Sequence, residues 1–390
     1  MKAAPKGKAS PRTRASAADA VPFQDLYPAN RLIETGFLEA AGHLYRESAF
    51  SGGPYVESFE KAFGRYLGAP HCLGLNSGTS AVHLALAALG IGPGDEVIVP
   101  AFTFVGSAWG ILYCGTKPVF ADVEADTACL DPESLASVLT PRTKAVIAVH
   151  LFGRPAPLDR IHAVLKAYQR KHRRGGKPIA LIEDAAQAHG AVWNGKQAGT
   201  IGDLGCFSFY PSKNLGAAGE AGAVVTKIPV LAERIARLRN HGQKVRYQHE
   251  MLGFNYRMDG LQGLFLEKKL PLLDRMNTDR EGIAAAYLAG ISNPQVTPID
   301  GGPGSAWHLF VCRVPRRKAF LAHLDKLGIG YGIHYPLILP ELPPFASARG
   351  NPRRYPVSLA LSREVVSLPL YYGMPSGDVE RVIDAVEAFR

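Results

Sequence analysis

The sequence predicts an α/β protein, with a large domain built on a mostly parallel sheet covered by helices and a smaller α+β C-terminal domain. Three observations predict this. Between Leu75 and about Thr226, short β-branched runs alternate with helical stretches, as β-α units around a parallel sheet require. Those runs are apolar on both faces, so helices must cover both sides of the sheet. Beyond Pro271 the texture changes to Pro-rich loops around shorter elements, which marks a second unit.

Taken in order, residues 1–20 are predicted to be a disordered basic tail. Lys2, Lys6, Lys8, Arg12 and Arg14 lie there with no acid among the first fourteen residues, and the segment is too poor in apolar residues to fold. The first fourteen residues supply half of the formal net charge of +10, so the charge does not point to a specific nucleic-acid partner. It has no apolar h-region, and its acid-poor start resembles an organellar transit peptide only weakly. The large domain is placed at 21–270, beginning with a helical segment from Val21 to about Leu67. Strands are predicted at 96–99, 117–121, 145–149, 179–182, 206–209 and 222–225. The uncharged stretch 97–116 nearly matches a membrane span in length, but Pro100, Thr103, Gly106, Ser107 and Gly110 interrupt it, and it reads as a strand, a loop and a helix. The basic cluster at 170–174 reads as a solvated helix end. Residues 271–390 form the small domain, including the runs 307–312 and 378–390.

The composition bounds the function. A chain of 390 residues, 47% of them hydrophobic, can bury one large core and one smaller one as a soluble protein. Cys72, Cys114, Cys129, Cys206 and Cys312 lie far apart with no C-x-x-C spacing, which argues against a disulfide framework and a structural zinc site. No metal site is expected, and the compartment is read as a reducing cytoplasm.

Three motifs carry chemistry, each just after an expected strand, where ligands gather in folds of this kind. Asn76-Ser-Gly-Thr-Ser80 is a small-residue turn at a helix start, able to offer backbone N–H groups, the helix dipole and hydroxyls to a phosphate monoester. The blander alternative is that Ser77 or Thr79 only caps the helix. Glu183-Asp184 ends a strand in an apolar neighbourhood, where an acid needs a partner and a pyridinium N–H would serve as one. The alternative makes Asp184 a helix cap and leaves Glu183 facing solvent; His189 nearby reads as a hydrogen-bonded core histidine. Ser208-Phe-Tyr-Pro-Ser-Lys213-Asn-Leu-Gly216 sets a lysine at a strand exit, where partial shielding eases loss of its proton and attack on a carbonyl. A phosphate site, a pyridinium-pairing acid and a Schiff-base lysine together describe pyridoxal 5'-phosphate binding.

The series N-S-G-T-S-A-V-H-L-A-L, G-D-E-V-I-V-P-A-F-T-F, V-H-L-F-G, I-E-D-A-A-Q-A-H-G-A, F-S-F-Y-P-S-K-N-L-G, L-R-N-H-G and G-F-N-Y-R-M-D-G-L-Q resembles the DegT/StrS family of sugar aminotransferases, from about residue 25 to the C-terminus. The resemblance implies the fold-type I aspartate aminotransferase architecture and a homodimer with cofactor sites at the subunit interface. It also implies that Lys213 is the catalytic Schiff-base lysine and moves a proton, that Asp184 pairs with the pyridine nitrogen, and that Gln187 lies near the ring hydroxyl. Gly78, Thr79 and Ser208 would hold the phosphate, Phe104 would stack on the ring, and Asn255 would reach the phosphate of the neighbouring subunit's cofactor. Tyr247, Arg257, His334 and Tyr335 are the implied substrate contacts. The chain departs from the family pattern in lacking a histidine after Pro336. The implied reaction moves an amino group from an amino acid, glutamate for example, to a keto sugar read as nucleotide-linked. The alternatives are a cyclitol or other small cyclic ketone as acceptor, and a non-catalytic regulator of the same fold. A sugar dehydratase of this fold would carry histidine in place of Lys213.

Overall fold

The computed structural model describes residues 20–172, 176–348 and 354–390. The basic tail expected at 1–20 lies almost wholly outside these residues, as do the last positions of the basic cluster. The strands of the large sheet are β1 (His71–Leu75), β2 (Glu96–Pro100), β3 (Lys117–Ala121), β4 (Thr143–Val149) and β5 (Ala180–Asp184), then, after a short hairpin of β6 (Val192–Trp193) and β7 (Lys196–Gln197), β8 (Leu204–Ser208) and β9 (Gly222–Thr226). Their order is β1-β9-β8-β5-β4-β2-β3. From β8 to β3 every pairing is parallel; β9 runs antiparallel to both of its neighbours.

The two-residue period of a strand sorts its side chains between two cores. Val97, Val99, Ile147, Ile182, Cys206 and Val224 pack in one cluster with the helix Gly78–Ala88. Ile98, Val146, Ala148 and Leu181 face the opposite side, under the helix Leu158–His172. Further along that second face, Phe207, Ala223 and Val225 meet Phe59 and Phe63 of the helix Pro54–Leu67. The expected coverage of both faces is therefore met. Residues 97–116 contain the end of β2, a loop and the helix Gly106–Tyr113. Among the described residues no helix is long and apolar enough to cross a membrane.

The N-terminal segment divides between two partners. Val21 bridges to Ile329 and sits in a separate cluster around Tyr287, Phe310 and Phe320, whereas Phe59 and Phe63 belong to the large sheet. After a two-stranded ribbon of β10 (Gln243–Val245) and β11 (Gln248–His249), the chain enters the helix Leu273–Gly290 and a three-stranded antiparallel sheet. That sheet is β12 (Thr297–Pro298), β13 (Phe310–Arg313) and β14 (Val365–Leu368), covered by the helices Arg317–Leu327 and Ser376–Glu387. Strand β13 starts later than the apolar run at 307 suggests, because Trp307 and His308 turn inward before the ladder begins. Trp307 has φ of 44°, outside extended backbone.

Phe63 is fully buried, with ring centroids 5.5 Å from Phe59, 5.1 Å from Phe207 and 5.3 Å from Phe209. Replacing it with alanine should cost about 3–5 kcal/mol by lost transfer energy and the cavity left behind. Denaturant unfolding should show this as a lower midpoint with an unchanged slope.

Candidate active site

A cavity of about 550 Å³ opens at the carboxyl ends of β4, β5 and β8. Gly78, Thr79, Phe104, Asp184, Gln187, Ser208 and Lys213 all line it, and His334 and Tyr335 complete its wall from the C-terminal part of the chain.

The phosphate-sized end is built by close approach. Ser77 caps the helix Gly78–Ala88, its Oγ accepting from the Ser80 amide at 3.1 Å, so the N–H groups of Gly78 and Thr79 remain at the helix start beside the cavity. A Cβ on Gly78 would stand 2.6 Å from the Ser208 Cβ, and one on Gly222 would stand 2.3 Å from the Ser77 carbonyl carbon. Only glycines let β8 and β9 pass this close to the helix. The cap reading of Ser77 is thus met, and the cap uses the hydroxyl while leaving the first amides beside the cavity.

Asp184 ends β5 nearly buried, at 6% exposure. Ser107 donates to its Oδ2 at 2.6 Å and the Ala186 amide to its Oδ1 at 3.1 Å; Thr103 lies 3.1 Å behind Ser107. It is no simple helix cap. Glu183 does not face solvent but lies on the opposite side of β5 with no exposure. It meets the His150 ring at 2.9 Å and accepts from the amides of Gly199 at 2.8 Å and of Ile201 and Gly202 at 2.6 Å each. Burial pushes its carboxyl up, but the His150 bond and these amides outweigh burial and hold it below the usual range. Gln187 receives the Phe152 amide on Oε1 at 2.6 Å and donates from Nε2 to the Tyr335 hydroxyl at 3.1 Å.

Lys213 follows a turn whose Tyr210 carbonyl accepts its amide. Burial lowers its ammonium to about 8, while the negative charge of Asp184 opposes that shift. An amine titrating there is a competent nucleophile near neutrality. Phe104 projects beside the opening at 52% exposure, its ring 5.8 Å from that of Tyr335. A pyridine ring with a phosphate arm fits the set: amides at a helix start, a flat aromatic neighbour, a buried carboxylate and a loosened lysine.

The DegT/DnrJ/EryC1/StrS aminotransferase family matches residues 32–387. The chain belongs to this family. This aminotransferase is 39% identical, over 94% of its length and 95% of the relative's, to dTDP-3-amino-3,4,6-trideoxy-alpha-D-glucose transaminase of Streptomyces venezuelae. It is 37% identical, over 94% of its length and 97% of the relative's, to UDP-N-acetyl-3-dehydro-alpha-D-glucosamine 3-aminotransferase of Acidithiobacillus ferrooxidans. Among solved structures it superposes on S. venezuelae DesV in complex with a ketimine intermediate with a TM-score of 0.89 at 39% identity, covering 94% of this chain and 98% of that one.

Three expected site residues of the aminotransferase stand outside the cavity. Tyr247 is at the exposed turn between β10 and β11, 77% accessible, with the Arg246 guanidinium 5.0 Å from its ring centroid. Asn255 bridges to Asn240, and Arg257 donates to the Asn240 side chain at 2.8 Å. Arg257 and Asn240 line a separate hollow of about 320 Å³ with Ser51, Gly53 and Glu57. His189 is a core histidine packed against Phe207 and Phe209, with the Ser208 backbone as its polar neighbour. Burial, then the charge of Lys213, pushes its imidazolium down to about 3.

Four further residues at the cavity carry no sequence signal of their own. Ser107 and Thr103 lie in an uncharged apolar stretch, Glu220 in a Gly/Ala-rich turn, and His308 in what reads as a strand 95 residues beyond Lys213. Only tertiary placement brings them to the site.

Two outcomes follow from this geometry. Gly78→Ala should drive Ser208 away from the helix start and weaken retention of a phosphate-bearing cofactor about tenfold, read by dialysis and absorbance. Because the Lys213 ammonium is lowered to about 8, capture of pyridoxal 5'-phosphate by the cofactor-free protein should quicken as pH rises towards 8 and level off above it. A profile still climbing at pH 10 would mean an ordinary exposed lysine.

Proposed function

We propose that this protein uses pyridoxal 5'-phosphate to transfer an amino group from an amino acid, glutamate being the expected donor, to the keto group of a nucleotide-linked sugar in amino-sugar biosynthesis. The observation that carries the reading is the joint placement of Lys213 and Asp184 in one cavity with a helix start at its far end. The family's dependence on this cofactor and the two relatives named for nucleotide sugars support it. Both relatives are named for an amino group at C3, so a 3-keto sugar is the acceptor to test first.

When bound, the cofactor supplies an electron sink for the carbanion formed at the substrate carbon. The chain's residues do the rest. Gly78, Thr79 and Ser208 would bind the phosphate at the helix start, and the Asp184 carboxylate, already steadied by Ser107 and the Ala186 amide, would keep the pyridine nitrogen protonated. Gln187, held by the Phe152 amide and Tyr335, would orient the ring, and Phe104 would offer it an aromatic neighbour. Lys213 would anchor the cofactor covalently, and its amine, once free, would take the proton from the donor's α-carbon and return one during the second half-reaction. The two halves give ping-pong kinetics.

The division at residue 270 fits this scheme, with the cofactor held by 21–270 and the wall carrying His334 and Tyr335 supplied by 271–390. A homodimer fits it too: Tyr45 and Leu38 stand 72% and 60% exposed on one helix beside the half-exposed Phe50, and a second hollow lined by Arg257 and Asn240 lies apart from the cavity. In that arrangement Tyr247, Asn255 and Arg257 serve the neighbouring subunit's site. The five cysteines, all unbridged, suit a reducing cytoplasm.

Purified protein loaded with cofactor should absorb visible light, and glutamate should bleach it. Borohydride reduction followed by peptide mass analysis should place the adduct on Lys213, and Lys213→Ala should lower transfer by more than about a thousandfold. A protein with full transfer activity after Lys213→Ala would overturn the reading. A regulator that kept the fold would hold cofactor and show no transfer to any 3-keto nucleotide sugar or cyclitol ketone.

A further inference from the structure

Beside Lys213 runs a file of hydrogen bonds that the transfer reaction, as described, does not use. The Asn277 Nδ2 donates to the His189 carbonyl at 2.8 Å, and its Oδ1 accepts from Asn214 Nδ2 at 2.9 Å. Asn214 Nδ2 spends its other N–H on the Ala306 carbonyl at 2.7 Å. With both amide protons committed, Asn214 can only accept through Oδ1, which lies 3.0 Å from His308 Nδ1. The proton of the imidazole is therefore assigned to Nδ1, and the lone pair of Nε2 points at the Lys213 Nζ, 3.5 Å away. Asn214 and His308 are nearly buried, at 4% and 6% exposure, so water does not compete for these bonds.

We propose that His308 is a positioning residue: its Nε2 accepts a hydrogen bond from the Lys213 amine and so fixes where the amine's lone pair points whenever the lysine is not covalently engaged. This rests on the reading of Lys213 as the proton-moving amine. An amine that gives one N–H to His308 has its lone pair turned away from the imidazole, towards the cavity. When it takes a proton from a substrate carbon it becomes an ammonium that keeps the His308 bond, and it later gives the proton back. His308 itself neither gains nor loses a proton. Burial, then the charges of Lys213 and Arg280, holds its imidazolium well below the ordinary value. Arg280 donates to the His308 carbonyl at 3.3 Å, which fixes the backbone from behind. The other groups acting on Lys213 have separate places: Asp184 is held by Ser107, His334 by Ser367 at 2.8 Å, and His189 lies among aromatic rings.

The test is titration of Lys213 in the full-length, cofactor-free protein by competitive acetylation with acetic anhydride across pH, read by peptide mass. Loss of the acceptor removes a bond that favours the ammonium, so His308→Leu should shift the amine-to-ammonium ratio at a given pH about tenfold towards the amine. His308→Gln, which presents an oxygen acceptor, should return the curve most of the way. In the loaded enzyme, His308→Leu should lower kcat with an enlarged isotope effect from α-deuterated glutamate, leaving KM for glutamate within about twofold. An unchanged Lys213 titration in His308→Leu overturns the proposal, as does a His308→Gln protein that behaves like the leucine variant. If His308→Leu fails to fold, Asn214→Ala releases the Nδ1 proton and should move the titration the same way by a smaller factor; no movement overturns the proposal. The titration needs neither cofactor nor substrate. Failure of the transferase reading would instead appear as a missing adduct at Lys213.

Discussion

Burial and charge pull in opposite directions on the Lys213 amine, and the chemistry of the cavity depends on where that contest ends. Removing a lysine from water favours the neutral amine, and a carboxylate nearby favours the ammonium. Here burial wins in part, leaving a group that changes state close to neutrality. Without Asp184 the balance would move further towards the neutral amine. Without burial it would remain an ammonium and could not attack a carbonyl.

The parallel sheet makes this balance possible because adjacent strands end at one level. Asp184 and Cys206 are register partners on β5 and β8, so the acid and the turn leading to Lys213 leave the sheet side by side. The antiparallel strand β9 then brings Gly222 under Ser77, which seats the helix start against the same edge. The site is a property of strand termini, and the loops beyond them carry the groups.

Much of this was legible in the sequence, for a physical reason. Buried parallel strands must be continuously apolar, so 145–149 and 179–182 announce themselves, and polar groups immediately after such runs are conspicuous. Lys213 and Asp184 stand out in this way, whereas the role of Ser208 is carried by the family resemblance. Strand β1 does not stand out, because His71-Cys-Leu-Gly-Leu75 is only partly buried over its first three residues and has no β-branched residue. Ser107 was passed over since a hydroxyl inside a helix start has no pattern of its own, and its role appears only when Asp184 is seen 2.6 Å away. His308 was hidden in a presumed strand, and its tautomer is set by two asparagines from other elements. Contacts across a subunit boundary, as read for Asn255, leave even less trace in a single chain.

Consecutive positions of β5 hold two acids with unlike tasks. Glu183 binds the 199–202 loop and His150 on one face, and Asp184 looks into the cavity on the other. Because side chains alternate along a strand, sliding this segment by a single residue would exchange them. The loop anchor would be thrust into the pocket and the pocket's acid would be swallowed by the core, so both tasks would be lost at once. Insertions and deletions within this strand are thereby forbidden, whereas a swap of Glu183 for glutamine keeps the frame and tests the anchor alone.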